Sequence, residues 1–162
     1  MIIKKIKIEN YLCYYGTNTF ELSEGLNIIL GENGEGKTKF FEAIDWLFNG
    51  GNSKLEMLVS SKKLDEVALG DIFPVSVSMT MEKFGEKNTV TRSFLAKKNG
   101  ENICSPFNST IEGVKENRSG EREIVDGTAL LNSIFPFQIR RYSMFKGEAE
   151  LNIFENENAL TN

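Results

Sequence analysis

Residues 31–38 read GENGEGKT, a complete match to the pattern G-x-x-x-x-G-K-[ST], and this octapeptide constrains the fold more than any other feature. Its glycines let the main chain turn tightly and approach a ligand without a Cβ in the way. Successive amide N–H groups of such a loop surround polyphosphate oxygens, assisted by the dipole of the helix that follows. The pattern predicts that Lys37 reaches the β- and γ-phosphates and that the Thr38 hydroxyl binds the Mg²⁺ between them.

The flanks of this loop agree with a nucleotide site and argue against a glycine-rich turn that binds nothing. The apolar run 26–30 ends directly at Gly31, which suits a strand buried on both faces of a mainly parallel sheet. Apolar residues after the loop recur at helical spacing, and Asn49, Gly50 and Gly51 then end the helix. The apolar positions are Phe40, Phe41, Ile44, Leu47 and Phe48.

ATP and Mg²⁺ are therefore the predicted cofactors, and the phosphate loop is their predicted binding site. The metal ligand predicted from the protein is Thr38. The predicted cofactor-binding residues are Gly31, Asn33, Gly34, Glu35, Gly36, Lys37, Thr38 and Lys39.

The composition excludes several classes of protein. The chain has 162 residues, 40% of them hydrophobic, which is enough for one domain with a core or for part of a larger one. It has no apolar run of about 18 residues, so no membrane partner is expected. It contains no histidine, which excludes mechanisms that need an imidazole from this chain.

Charge and cysteine content point to a cytoplasmic protein that does not coat itself in nucleic acid. The net charge of −4 argues against binding by bulk electrostatics. Cys13 and Cys104 lie far apart without metal-ligand spacing, so we expect reduced thiols in the cytoplasm. We interpret the short basic clusters as solvated faces: Lys4, Lys5 and Lys7, Lys62 and Lys63, Lys97 and Lys98, Arg140 and Arg141.

Periodicity predicts further elements around the loop. Alternating residues predict strands over 2–8, 17–22 and 75–82, and the last turns at 84–88 into a partner strand over 89–96. A third short strand is expected around Ile103, and the polar stretch 105–123 reads as a loop. Asp126 or Thr128 is expected to cap a helix that ends at Phe135 and Pro136. A short helix followed by a polar loop is expected within 52–71, and a strand over 137–145.

Three segments together resemble the amino-terminal lobe of SMC-like ABC ATPases. They are the I-x-N-Y start at Ile8, Asn10 and Tyr11, the run EGLNIILGENGEGKTKFFEAI, and the ending RRYSMFKGEAEL. The nearest kinds are SbcC-type ATPases of DNA double-strand-break repair and DndD-type ATPases of phage defence. Between about 52 and 135 only the strand pattern agrees.

The resemblance implies an α/β P-loop NTPase fold, an ABC-type head lobe with a mixed sheet and an antiparallel β meander. The whole chain, 1–162, then corresponds to the amino-terminal half of a head domain. Strands, phosphate loop and first helix would occupy 1–51, the meander 73–104, and a helix with a Q-loop-like region 126–154. The coiled coil and the carboxy-terminal half, with the Walker B carboxylates and signature motif, are not in this sequence, and a helix toward the coiled coil would begin within 151–162.

The Q-loop is where this sequence departs from the family pattern. The family's Q-loop glutamine helps to bind Mg²⁺ and positions the attacking water, but the matching position here is Lys146. A protonated lysine cannot act as a neutral metal ligand. Either Gln138 or Glu148 performs that role, or the enzyme handles its water differently, or Lys146 is a surface residue. The family's polar pair that holds adenine is replaced by Leu12 and Cys13, and Tyr14 and Tyr15 are candidates for stacking or for core packing.

The function implied by the resemblance is that of an ATPase acting in DNA repair or anti-phage DNA processing. Its expected partners are a second copy of the head, its own carboxy-terminal lobe, DNA, and a nuclease or other defence or repair subunit. We expect this chain alone to bind ATP weakly and to hydrolyse it negligibly. Two alternatives remain open: an OLD-type ATPase-nuclease head, and a nucleotide-gated interaction module that does not hydrolyse ATP.

Overall fold

One six-stranded sheet organises the protein. The computed structural model describes residues 1–32, 34–50 and 54–143, with only the backbone for 141–143. The strands are β1 (Ile2–Tyr11), β2 (Tyr14–Glu21), β3 (Ile72–Lys83), β4 (Glu86–Gly100), β5 (Ile103–Glu116) and β6 (Arg122–Asp126). The helices are α1 (Lys37–Asn49), α2 (Ser61–Glu66), α3 (Gly127–Ile134) and α4 (Phe137–Ser143), with a 3₁₀ turn at Leu55–Leu58. The strand order is β2-β1-β3-β4-β5-β6.

The alternation seen in the sequence places one apolar row against α1. In the antiparallel register, Ile6 lies opposite Met79, and Met79 lies opposite Val90; all three are buried. The other face carries hydroxyl groups in pairs, such as Ser78 with Thr91 at 2.9 Å. This period of two decides which face of the sheet α1 covers.

Helix α1 packs through aromatic residues on this apolar face. The Trp46 ring lies 5.4 Å from Tyr11 and 5.9 Å from Phe94, measured between ring centroids. The predicted end of the helix is confirmed, because Gly50 caps it at φ 74° and donates its N–H to the Trp46 carbonyl at 2.8 Å. The buried residues of α1 are Phe40, Ala43, Trp46, Leu47 and Phe48, while Phe41 and Ile44 are only half-buried.

The strand predicted over 26–30 does not form, and this prediction is wrong for the chain as described. Leu26, Ile28 and Leu30 are 83%, 68% and 87% exposed. All strand pairs described are antiparallel, so the parallel part of the predicted mixed sheet is not seen among the described residues. A strand needs a neighbour to accept and donate its ladder hydrogen bonds, and no described strand lies beside this run.

Two further predictions about secondary structure are wrong. The stretch 105–123, predicted as a loop, mostly belongs to β5, which pairs along β4 despite its polar composition. Pairing with an existing strand outweighs weak intrinsic propensity. The stretch 137–145, predicted as a strand, forms α4 as far as Ser143, and the remainder lies outside the described residues.

The remaining predicted elements agree with the structure or extend it. The β3–β4 hairpin turns at Phe84 and Gly85, within the predicted 84–88, and both strands are longer than expected. Asp126 is the cap of α3, where its carboxylate accepts the Ala129 N–H at 2.6 Å. The segment 52–71 contains the 3₁₀ turn and α2 where a short helix and a polar loop were expected.

Candidate functional site

The phosphate loop is bent, as its glycines predict, and it leads directly into α1. The N–H of Glu35 donates to the Glu32 carbonyl at 3.3 Å, which closes a turn across the loop. Gly34 and Gly36 both adopt left-handed conformations, with φ of 92° and 94°. Gly36 is the N-cap of α1, and its carbonyl accepts the Phe40 N–H at 2.8 Å. The exposed loop therefore stands at the positive end of the helix dipole.

Two charged side chains fold back over the loop. The Lys37 ammonium donates to the carbonyls of Gly31 and Glu32, the latter at 2.6 Å. The Glu35 carboxylate accepts the N–H of Glu32 at 2.6 Å. A carboxylate thus occupies a backbone donor of the loop, and an ammonium lies across its carbonyl groups. Both side chains are exposed, so a polyphosphate can replace these contacts by moving side chains alone.

The other predicted site residues fall in three places. Thr38 is exposed on the first turn of α1, as a ligand to a metal would need to be. Lys39 is paired with Glu42 on the helix, at 2.8 Å between Nζ and the carboxylate. Asn33 lies outside the described residues. Gln138 is exposed on α4, and Lys146 and Glu148 lie outside the described residues, so no Q-loop arrangement is visible.

The β1–β2 turn packs directly on the loop, through a tyrosine hydroxyl and not through a ring stacked on a base. The Tyr14 hydroxyl donates to the Gly36 carbonyl at 3.0 Å. A Cβ added to Gly36 would lie 2.7 Å from the Cys13 sulfur, so a larger residue would require Cys13 to move, and the φ of 94° favours glycine as well. Tyr15 faces elsewhere: its hydroxyl donates to Glu66 at 2.7 Å. Of the two tyrosines, the described contacts bring only Tyr14 to the loop.

Two arginines converge on the carboxyl end of α1. Arg92 donates from Nε to the Leu47 carbonyl at 3.1 Å, and Arg140 donates from Nη1 to the Phe48 carbonyl at 2.8 Å. These carbonyls carry the negative end of the helix dipole, which favours cations. Burial lowers the pKa of both guanidinium groups, and for Arg92 the charge of Arg140 adds to this effect. Arg140 is only 7% exposed, so its assignment to a solvated basic face is wrong.

Among the described residues, no group of three or more cysteine, aspartate or glutamate side chains could hold a metal ion. No described helix is long and apolar enough to cross a membrane.

The loop fits a nucleoside triphosphate with Mg²⁺ on observations of this structure. A Cβ at Gly36 would press against the Cys13 sulfur, whereas the space beside Gly34 is open, with no heavy atom within 4 Å of a Cβ built there. Lys37 supplies an ammonium and Thr38 an exposed hydroxyl, the two side-chain groups that such a ligand requires. When bound, ATP would supply the phosphoanhydride bond; the residues described here bind and orient it.

Comparison with known proteins agrees with this fold. The family model described as AAA domain (AAA_23) matches residues 5–161. Two DNA double-strand break repair Rad50 ATPases are similar: that of Methanococcus maripaludis is 30% identical over 144 residues, and that of Methanocaldococcus jannaschii 28% over 142 residues. Each alignment covers 83% of this chain but 13% of the relative, so the chain spans only a small part of their length.

The DNA replication and repair protein RecF of Streptococcus uberis is 30% identical over 96 residues, which are 57% of this chain and 26% of that protein. A solved structure from work on ATP-driven dimerisation and DNA-stimulated activation of SMC ATPases superposes with a TM-score of 0.63 at 15% identity. The superposition covers 96% of this chain and 92% of the chain in that structure. The predicted fold class is thereby confirmed. The chain belongs to the AAA domain family, and its fold is that of the amino-terminal lobe of an SMC-like ABC ATPase.

Proposed function

We propose that this chain is the ATP-binding half of an ATPase head that acts on DNA. The observation that carries the proposal is the loop itself, a bent segment at the amino end of α1 with an exposed Lys37 and Thr38. Backbone N–H groups and the helix dipole favour an anion there. The similarity to Rad50 and RecF proteins, whose names specify DNA repair, supports DNA as the target of the whole protein. Repair and anti-phage DNA processing are both consistent with this chemistry.

In this proposal the site residues divide the work at the phosphates. The loop residues 31–36 present backbone donors, Lys37 neutralises the β- and γ-phosphates, and Thr38 holds Mg²⁺. Lys39 contributes only if it leaves its pair with Glu42. Gln138, Lys146 and Glu148 remain candidates for the residue that orients water. None of these residues alone completes a hydrolytic site, so turnover is assigned to the assembled head.

We further propose that the rest of the head covers the exposed apolar run before the loop. Its side chains at positions 26, 28 and 30 are more than half exposed, which is unusual for a contiguous apolar segment of a stable surface. A strand from the protein's own carboxy-terminal lobe would supply the missing ladder partner. A second copy of the head, DNA and a nuclease or defence subunit complete the proposed assembly, which we place in the cytoplasm because both described cysteines are free thiols.

The domain limits follow the same assignment. We propose a single lobe over 1–162, in which 1–51 carries the first strands, the phosphate loop and the first helix, 73–104 the antiparallel β meander, and 126–154 a helix and the Q-loop-like region.

A calorimetric titration of the chain with Mg·ATP tests this function. Wild-type protein is expected to bind, and Lys37→Ala to weaken binding at least tenfold, because charge-assisted hydrogen bonds of about 1.5–3 kcal/mol are lost. Lys97→Ala is the control, since it removes the same charge from an exposed position on β4. Equal affinity of Lys37→Ala and wild type would refute the assignment of the loop.

A further inference from the structure

We propose that Tyr14 is a positioning residue for nucleotide binding, which fixes the peptide between Gly36 and Lys37 through its hydroxyl group. The inference rests on the proposed function and deepens it, because it names a residue outside the phosphate-loop motif. Tyr14 lies at the start of β2, and its hydroxyl donates to the Gly36 carbonyl at 3.0 Å.

The consequence follows from the planarity of the peptide group. No peptide bond described in the structure is cis, so the Gly36 carbonyl and the Lys37 N–H point in opposite directions. The carbonyl accepts two donors, the Tyr14 hydroxyl and the Phe40 N–H at 2.8 Å. The Lys37 N–H must therefore point away from the β1–β2 turn. As the first N–H of α1 it has no acceptor within the helix, so it is available to an anion in the loop.

Glycine by itself restricts the orientation of this peptide little. Gly36 has no side chain to restrict its ψ angle, and its left-handed conformation (φ 94°, ψ 9°) is one of several open to glycine. The Phe40 N–H that the Gly36 carbonyl accepts belongs to α1 itself, so this bond fixes the carbonyl only relative to the first turn of the helix. The Tyr14 hydroxyl comes from a different part of the fold and holds the loop relative to the sheet.

The tyrosine can do this because the turn that carries it is held in place. The Asn10 side chain accepts the Gly16 N–H at 3.0 Å and donates to the Pro74 carbonyl at 2.9 Å. The N–H of Leu12 donates to the Leu58 carbonyl at 2.8 Å. The turn is thus tied to β3 and to the 3₁₀ turn before it reaches the loop.

The Tyr14 ring is also fixed by packing. It meets the Phe20 ring edge-on at 5.9 Å between centroids, and Phe20 meets Phe40 of α1 at 4.7 Å. Burial raises the pKa of Tyr14 to about 12, so the hydroxyl keeps its proton and remains a donor at physiological pH. With the ring held by Phe20, the group of Tyr14 that contacts the loop is its hydroxyl.

The test compares Tyr14→Phe with Tyr15→Phe in the whole chain, titrated calorimetrically with Mg·ATP and with Mg·tripolyphosphate, which has no base. Tyr15→Phe is a matched control, since it removes the neighbouring hydroxyl, which contacts Glu66 instead of the loop. We expect Tyr14→Phe to weaken both ligands about three- to tenfold, the equivalent of one hydrogen bond. Tyr15→Phe is expected to bind both as wild type does. A purely structural role would change the melting temperature without changing tripolyphosphate affinity in the folded protein.

Each other outcome counts against the inference. Unchanged affinity of Tyr14→Phe for tripolyphosphate would overturn it, and a loss confined to ATP would show that the hydroxyl contacts the base. An equal loss in Tyr15→Phe would also overturn it. If Lys37→Ala abolishes binding while Tyr14→Phe binds normally, the proposed function stands and only the role of Tyr14 fails. If wild type binds neither ligand, the proposed function itself is refuted.

Discussion

Replacing Arg140 with alanine should destabilise the protein far more than its place in a basic sequence cluster suggests. The side chain is 7% exposed and makes three hydrogen bonds to residues of two other helices and their ends. It donates at 2.8 Å to the Phe48 carbonyl at the end of α1 and at 2.8 Å to the Phe135 carbonyl after α3. A third bond reaches the side chain of Asn132. One guanidinium group therefore joins α1, α3 and α4.

The expected magnitude follows from what the alanine would leave behind. Two carbonyls and an amide would lose a charged donor, and each buried group left without a partner costs about 1–3 kcal/mol. Relief of the repulsion with Arg92 and entry of water into the vacated space offset part of this loss. We expect a net loss of about 3 kcal/mol in the free energy of unfolding. At about 2–4 °C per kcal/mol for a chain of this size, the melting temperature falls by about 6–12 °C.

Chemical denaturation followed by circular dichroism measures this change. Arg118→Ala is the control, because Arg118 also donates to a backbone carbonyl, that of Phe84 at 2.7 Å, but at an exposed position. Its loss should change stability by less than about 0.5 kcal/mol, as is usual for surface sites. If the two variants unfold at the same denaturant concentration, Arg140 does not join the helices as the structure indicates.

Two other perturbations test the surroundings of the loop. Gly36→Ala should lose more stability than Gly120→Ala. Both glycines have positive φ, 94° and 83°, a conformation that costs alanine about 1–2 kcal/mol. Only the methyl group at position 36 would also meet the Cys13 sulfur, at 2.7 Å. Equal melting temperatures for the two variants would show that Cys13 leaves room. Burial, with a smaller effect of Cys13, raises the pKa of Tyr14 from 10.0 to about 12, so its stabilising contribution is complete below pH 10 and is lost as the pH rises to 12. Over that range the melting temperature of Tyr14→Phe should fall less steeply than that of wild type; parallel curves would contradict the shift.

Elements whose signals are local were predictable from the sequence. The loop 31–38 and the helix after it follow from residues within one stretch of chain, because glycine conformations, the start of a helix and its apolar spacing are short-range properties. The same holds for the β3–β4 hairpin, in which alternation and turn are adjacent, and for the cap at Asp126. The family resemblance also rested on short segments: the I-x-N-Y start, the run through the phosphate loop and the ending RRYSMFKGEAEL.

Elements that need a distant partner were not predictable in this way. An apolar run such as 26–30 is compatible with a buried strand, but a strand exists only where another strand pairs with it. The polar stretch 105–123 has little strand propensity of its own. Most of it nevertheless forms β5, because it pairs with β4 along nearly the whole length of that strand.

The sequence by itself determined that this chain has a phosphate loop at the start of a helix, because that motif is complete within eight consecutive residues. Only the tertiary structure decided what surrounds it. Tyr14 reaches Gly36 from 22 positions away, and Arg140 reaches Phe48 from 92 positions away. Such contacts depend on how the sheet and helices pack together, and the order of residues along the chain does not encode them in any local pattern.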